Sequence, residues 1–485
     1  MSVISLERPM MLIDGEFVAA QDGREYETIN PATEESLGKT PHASAADMQR
    51  AIEAARKAFD EGPWPRMSRS ERYRIIRGIA ELMEAHHDEL AGLVVAEAGA
   101  TVPFSNQMQS IQMMFDYAEL AMTFPFEETV APQTVRGRLL TSHVIRQPVG
   151  VCGLLPTWNL PLMIAVRKLG PALAAGCTVV LKAPPQTPLT QCRLAQLIAE
   201  SDLPPGVFNL VTGDGIEAAE HLVKSNLVDM ISFTGGPASA RSIMASAAAT
   251  IKRVALELGG KSPNIILDDV DVETAAPMVA MHAVINCGQT CSMLSRVLIP
   301  RKKADALASA VAENLKSQKI GDPTDPSVTV GPLIREERRQ AVERYVDSGL
   351  SEGADLVIGG KRPAHLDRGY YYEPTLFTNV RNDMTIAREE IFGPVLAIIP
   401  YDTIDEAIRI ANETEYGLQA NVMCTNVNDG FQVAKQIRCG AVSINGAFDA
   451  IRAPRGGFKL SGIGRECGKW ALDDYLEYQG ITWWS

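Results

Sequence analysis

The chain has 485 residues, 46% hydrophobic and 22% charged, a soluble globular composition too long for one core and suited to two or three domains. Its formal net charge of −13 at pH 7 argues against nucleic acid as the main partner, because phosphate binding needs clustered Lys and Arg. No run reads as a membrane span or a secretory leader, and the eight scattered cysteines lack zinc-like or Cys-x-x-Cys spacing, so reduced thiols in a cytoplasmic protein without a catalytic metal are expected.

Along the chain, residues 11–29 hold Asp14-Gly15 between apolar runs, a hairpin signal. Residues 45–59 and 68–96 carry helical periodicity, with Ser68 or Ser70 near an N-cap. From residue 149 the pattern changes. Strand-like runs at 149–155, 178–181, 207–211 and 230–233 alternate with helical stretches at 162–175, 190–201, 217–224 and 238–249, the signature of βαβ units in a parallel sheet. A second α/β series follows Lys261, with strands at 264–267, 295–299, 375–378, 395–400 and 420–423 and helices at 274–285 and 304–315.

Two segments carry chemistry. Glu257-Leu258-Gly259-Gly260-Lys261 offers a carboxylate, and Gly288-Gln289-Thr290-Cys291 offers a thiol. A thiol can add to a carbonyl carbon, and a carboxylate can activate water to hydrolyse the resulting thioester. Taken singly, a Cys is more often a small buried hydrophobe and glycines beside a Glu mark a turn. Phe233-Thr234-Gly235-Gly236-Pro237 joins a strand to a helix in a form that suits a pyrophosphate, although the Gly-x-Gly-x-x-Gly fingerprint of ordinary dinucleotide-binding folds is absent.

These segments, together with Trp158-Asn159-Leu160-Pro161, Glu390-Ile391-Phe392-Gly393-Pro394-Val395, Pro454-Arg455-Gly456-Gly457-Phe458-Lys459 and Ser461-Gly462-Ile463-Gly464-Arg465-Glu466, occur in one order that resembles the NAD(P)-dependent aldehyde dehydrogenase superfamily over almost the whole chain. The resemblance implies an α/β fold: a Rossmann-type cofactor domain (1–123 and 150–258), an α/β catalytic domain (259–474) and a small β oligomerisation arm (124–149 and 475–485) that makes a homodimer or homotetramer. It implies Cys291 as nucleophile, Asn159 as oxyanion donor and Glu257 as the base that hydrolyses the thioester to a free acid. NAD or NADP would contact Trp158, Lys182, Gly235, Gly236, Leu258, Glu390 and Phe392. Lys168 would lie near the site, with a helix lysine reaching to solvent as the alternative. Cys287 would be a packing residue.

The departures from the family's usual residues fall on the reactants. Gly236 stands for a common Ser, Pro237 for a small polar residue and Ala240 for a Gly; Pro185 stands for a Glu that would accept from the ribose 2′-OH, which leaves NAD against NADP open. Of the positions around the aldehyde, Leu160, Met163, Ile164, Arg167, Thr290 and Arg455, Arg167 replaces a common Trp and Arg455 a common Phe. Paired guanidinium groups suit an acidic semialdehyde. The alternatives are arginines turned to solvent or to a salt bridge, an apolar pocket for longer aliphatic or aromatic aldehydes, and a non-catalytic binding protein on the same fold.

Overall fold

The computed structural model describes residues 9–106, 109–447 and 450–484; residues 1–8 of the expected cofactor domain and residue 485 of the expected arm lie outside the described residues. Five parallel strands form the middle of an eight-stranded sheet, in the order Arg253–Leu258, Met230–Gly235, Val151–Leu155, Thr178–Lys182 and Phe208–Val211. Helices cover both faces, so the inner strands read as unbroken apolar runs instead of alternating ones. The N-terminal hairpin, Met11–Ile13 with Glu16–Val18, adds antiparallel strands at one edge. It turns at Asp14 and Gly15, both at positive φ, and the Asp14 N–H donates to Asn209 Oδ1 at 2.9 Å, tying the hairpin to its neighbour.

The strand order places the site. From Val151–Leu155 the chain winds outward through Thr178–Lys182 to Phe208–Val211, then crosses back to lay Met230–Gly235 on the other side of its starting strand. Connections diverge between Val151–Leu155 and Met230–Gly235, and a crevice opens at their carboxyl ends, where open α/β sheets hold ligands. Trp158 and Asn159 follow the first of these strands, and Gly235-Gly236 ends the second.

A seven-stranded sheet follows, in the order Asp355–Ile358, Thr375–Thr378, Val395–Tyr401, Arg296–Pro300, Pro263–Ile266, Gln419–Met423 and Ala441–Ile444, all parallel except the first. The fully buried Arg296 donates to the carbonyls of Lys261, Ile410 and Ala411 at 2.8–2.9 Å and to Asn382 Oδ1 at 3.0 Å. That guanidinium satisfies the carbonyls at the end of the helix Ile404–Asn412, a place where cations are favoured. Glu127–Val135, Arg138–Pro148 and Leu476–Trp484 form a separate antiparallel sheet whose residues are mostly exposed. The segment before it returns to the first sheet: Gly462–Ile463 pairs with Arg253–Leu258, and Ala471 and Leu472 pack in the first core.

The expected helix over 68–96 is two helices, Arg69–Ala85 and His87–Ala98. Ser68 caps the first through a reciprocal box with Glu71. At His86 the backbone leaves helical geometry while the ring meets Glu89 and Arg193, and Asp88 and Glu89 then favour a fresh helix start. Among the described residues no helix is long and apolar enough to cross a membrane, and the eight cysteines are free thiols.

Candidate active site

Cys291 lies in the loop between the helix Val272–Val284 and the strand Arg296–Pro300, half-buried. Three successive residues before it, Asn286, Cys287 and Gly288, have positive φ of 48°, 52° and 69°. A side chain at Gly288 would come 2.2 Å from the Gly393 carbonyl oxygen, so only glycine fits there. The unfavourable backbone of Asn286 and Cys287 is held by side-chain bonds. Asn286 Nδ2 donates to the Asn159 carbonyl at 2.9 Å and to the Gln289 carbonyl at 3.3 Å, while Gln289 Oε1 accepts from the Ile334 N–H at 2.9 Å. Asn159 completes the tie: its Nδ2 donates to the Gln289 carbonyl at 2.8 Å, which uses one of its two hydrogens. Cys287 is fully buried and its thiol is pushed up to about 12 by that burial.

Glu257 is the penultimate residue of the strand Arg253–Leu258. The backbone of Gly456 passes so close that a side chain there would sit 2.8 Å from Glu257 Oε1, in a conformation (φ +153°) that only glycine takes readily. The adjacent Arg455 points its Nη2 at Cys291 Sγ, 3.6 Å away, and a side chain at Gly260 would be 2.7 Å from the Cys291 carbonyl. The adjacent residues Arg455 and Gly456 therefore bring the thiol and the carboxyl near one another, one at each residue. Burial, with the nearby Glu466 carboxylate, raises Glu257 to about 8 against the pull of Arg455, Lys168 and Arg167.

Glu466 is the partner that sequence reasoning passed over. Its Oε1 accepts from Lys168 Nζ at 2.8 Å, and Lys168 also donates to Ser232 Oγ at 3.2 Å. Lys168 is fully buried, so its expected alternative, a lysine stem reaching out to solvent, is wrong: the ammonium is paired inside the core beside the helix Pro161–Ala175. Glu466 ends the segment Ser461-Gly462-Ile463-Gly464-Arg465-Glu466, but its contact with Lys168 spans 298 residues and no spacing rule reaches it.

Leu160 precedes that helix, and Met163, Ile164 and Arg167 follow on neighbouring turns, three and four residues apart. Leu160 and Met163 are half-buried and Ile164 is buried. Arg167 and Arg455 are each only 6% exposed, which removes the reading of arginines turned to solvent. Burial opposes the charge of Arg167, but the acidic groups it faces, Cys467, Glu466, Cys291 and Glu257, outweigh that and hold it protonated. Arg455 is anchored by backbone: its N–H donates to the Glu466 carbonyl at 2.8 Å and its carbonyl accepts from the Glu466 N–H at 2.7 Å. Thr290 is half-buried beside Cys291.

The other expected contacts lie at strand ends and in the loops beside them. Trp158 packs edge-on against Phe392, ring centroids 5.4 Å apart, and Phe392 holds a positive φ of 54°. Lys182, at the end of its strand, donates from Nζ to the Gly213 carbonyl at 2.6 Å, and burial lowers it to about 8. Gly235 pairs in register with Leu258, and Gly236 caps the helix Pro237–Ala247, with nothing within 4 Å of where a side chain would be. Buried Thr234 Oγ1 has no protein partner. Glu390 Oε1 accepts from the Gly260 N–H at 3.3 Å, and burial raises the carboxyl to about 7. An open helix start, an orphaned hydroxyl, a carboxyl and an aromatic pair are a donor set that fits a dinucleotide.

The model of the aldehyde dehydrogenase family matches residues 17–481. A 3-succinoylsemialdehyde-pyridine dehydrogenase from a Pseudomonas species is 41% identical over 474 residues, 97% of each chain. A betaine aldehyde dehydrogenase from Bacillus subtilis is 40% identical over 476 residues, 97% of this chain and 96% of its own. The crystal structure of a Mycobacterium tuberculosis aldehyde dehydrogenase complexed with NAD+ superposes with a TM-score of 0.94 at 42% identity, covering 98% of this chain and 97% of its own.

Proposed function

The chain belongs to the aldehyde dehydrogenase family, and on that footing we propose that it oxidises an aldehyde to the carboxylic acid through a thioester on Cys291. The observation that supports this is that Cys291 Sγ lies 3.6 Å from Arg455, whose neighbour Gly456 packs against the Glu257 carboxyl, while Asn159 bonds the carbonyl of Gln289 two residues before Cys291.

Cys291 Sγ attacks the aldehyde carbon; the C–S bond forms and the carbonyl electron pair moves to oxygen. The second Asn159 Nδ2 hydrogen and the Cys291 backbone N–H hold that oxyanion. A nicotinamide cofactor, NAD or NADP, when bound supplies the hydride acceptor. Gly236 and the start of its helix would hold the pyrophosphate, Lys182 the adenosine ribose and Glu390 the nicotinamide ribose, with Trp158, Leu258 and Phe392 packing around them. Loss of hydride from carbon leaves the thioester. Glu257 then takes a proton from water, the hydroxyl adds to the acyl carbon, and the C–S bond breaks to return Cys291. Lys168 and Glu466 set the charge around Glu257 and do not touch the reacting atoms.

We read the substrate class from Arg167 and Arg455, two buried arginines, the second 3.6 Å from Cys291 Sγ; Met163 and Ile164 share the helix of Arg167, Leu160 precedes it, and Thr290 adjoins Cys291. A carboxylate on the far arm of an aldehyde would pair with such groups, so we assign an acidic semialdehyde. Steady-state rates on matched acidic and neutral aldehydes, run with NAD and with NADP, test it. The acidic aldehydes are expected to be preferred, and Arg167→Ala and Arg455→Ala to remove the preference by raising KM roughly 10-fold or more. An unchanged preference in both variants, or equal rates on long neutral aldehydes, defeats the assignment. No aldehyde-dependent signal with either cofactor would mean a binding protein instead. The exposed three-stranded sheet fits a subunit contact in a homodimer or homotetramer.

A further inference from the structure

The structure puts Arg455 in contact with the proposed nucleophile. Nη2 lies 3.6 Å from Cys291 Sγ, within reach of a charge-assisted N–H to sulfur contact. The contact is built. The arginine is 6% exposed, its backbone N–H and carbonyl both bond to Glu466, and the next residue, Gly456, packs against the Glu257 carboxyl. A side chain anchored on both sides in this way does not sweep through solvent; its guanidinium is delivered to the sulfur by the loop.

We propose that Arg455 is a catalytic residue that acts as the counter-ion of the Cys291 thiolate, holding the sulfur ionised in the resting enzyme. The inference rests on the proposed function, because it takes Cys291 as the nucleophile. Cys291 loses its proton to bulk water, and the sulfur's negative charge then sits against a cation that never deprotonates. A phenyl ring at this position could not do this.

The test is the rate of alkylation of the full-length enzyme by iodoacetamide, a neutral reagent that forms a C–S bond and expels iodide, measured from pH 6 to pH 10 with the modified cysteine identified by peptide mass. In Arg455→Gln the rate near pH 6.5 is expected to be roughly tenfold lower than in the wild type, and the two rates to converge near pH 10, where the thiol ionises without help. Arg455→Lys, which keeps a cation, is expected to recover most of the loss. Iodoacetate, run in parallel, reports attraction of an anionic arm, and its rate is expected to fall further than that of iodoacetamide in Arg455→Gln. Convergence at high pH separates a lost counter-ion from a disordered loop, which would slow the reaction at every pH. Equal iodoacetamide rates at every pH, or a loss of the same factor throughout, overturns the proposal while leaving Cys291 as nucleophile. Alkylation at a cysteine other than Cys291 overturns both.

Discussion

Replacing Cys291 by Ser is expected to abolish aldehyde-dependent NAD(P)H formation, with a loss of roughly three orders of magnitude or more. The substitution keeps the size and a hydrogen-bonding atom, so the pocket around it should survive: the three-residue left-handed run, the Asn286 and Gln289 bonds and the Arg455 anchor do not depend on sulfur. A hydroxyl beside one guanidinium is still far from ionised at neutral pH, so there is no anion to attack the carbonyl. Cys287 cannot stand in, because burial pushes its thiol up to about 12 and the strained backbone fixes it in the core. The absorbance of the reduced nicotinamide reads the result directly. Turnover above a hundredth of the wild-type rate would place the nucleophile elsewhere.

Glu257→Gln separates the two halves of the reaction. Acylation needs only the sulfur and the oxyanion donors, so the variant is expected to release about one NAD(P)H per active site and then nearly stop, its steady-state rate down by roughly 100- to 10,000-fold. The same residue sets the pH dependence. Burial and Glu466 raise Glu257 to about 8, and only the ionised carboxylate accepts a proton from water. Below that pH the base is mostly protonated, so wild-type deacylation is expected to rise with pH through the region near 8 and level off above it. In Glu257→Gln that rise should vanish from the residual rate. A wild-type profile flat from pH 6 to 9 under deacylation-limited conditions would remove Glu257 from this role.

The α/β architecture was legible because buried parallel strands are short continuous apolar runs punctuated by helical periodicity. The runs at Thr178–Lys182 and Met230–Gly235 show this plainly. Boundaries slipped by a residue or two where a proline opens a helix one step early, as at Pro161 and Pro237. The break at His86 was hidden because neither glycine nor proline marks it; side-chain contacts to Glu89 and Arg193 accompany it. Cys291 and Glu257 were picked out by the resemblance of their short glycine-bearing segments to those of the family, since each segment taken singly reads as packing or a turn. What joins them was not. The Asn159–Gln289 bond spans 130 residues, the Arg455–Cys291 contact 164 and the Lys168–Glu466 pair 298, and a sequence holds no local signal for a buried side chain's distant partner. For the same reason Lys168 read equally well as solvated or buried, and Arg167 and Arg455 as surface arginines or as a lined pocket.

The most direct measurement is peptide mass spectrometry of Glu257→Gln quenched in acid after one turnover with an aldehyde and the preferred cofactor. The account predicts an acyl group, heavier than the thiol by the aldehyde mass less two hydrogens, on the peptide that contains Cys291, at a level matching the NAD(P)H released. An acyl group on any other residue, or a stoichiometric release of NAD(P)H with Cys291 unmodified, would contradict it.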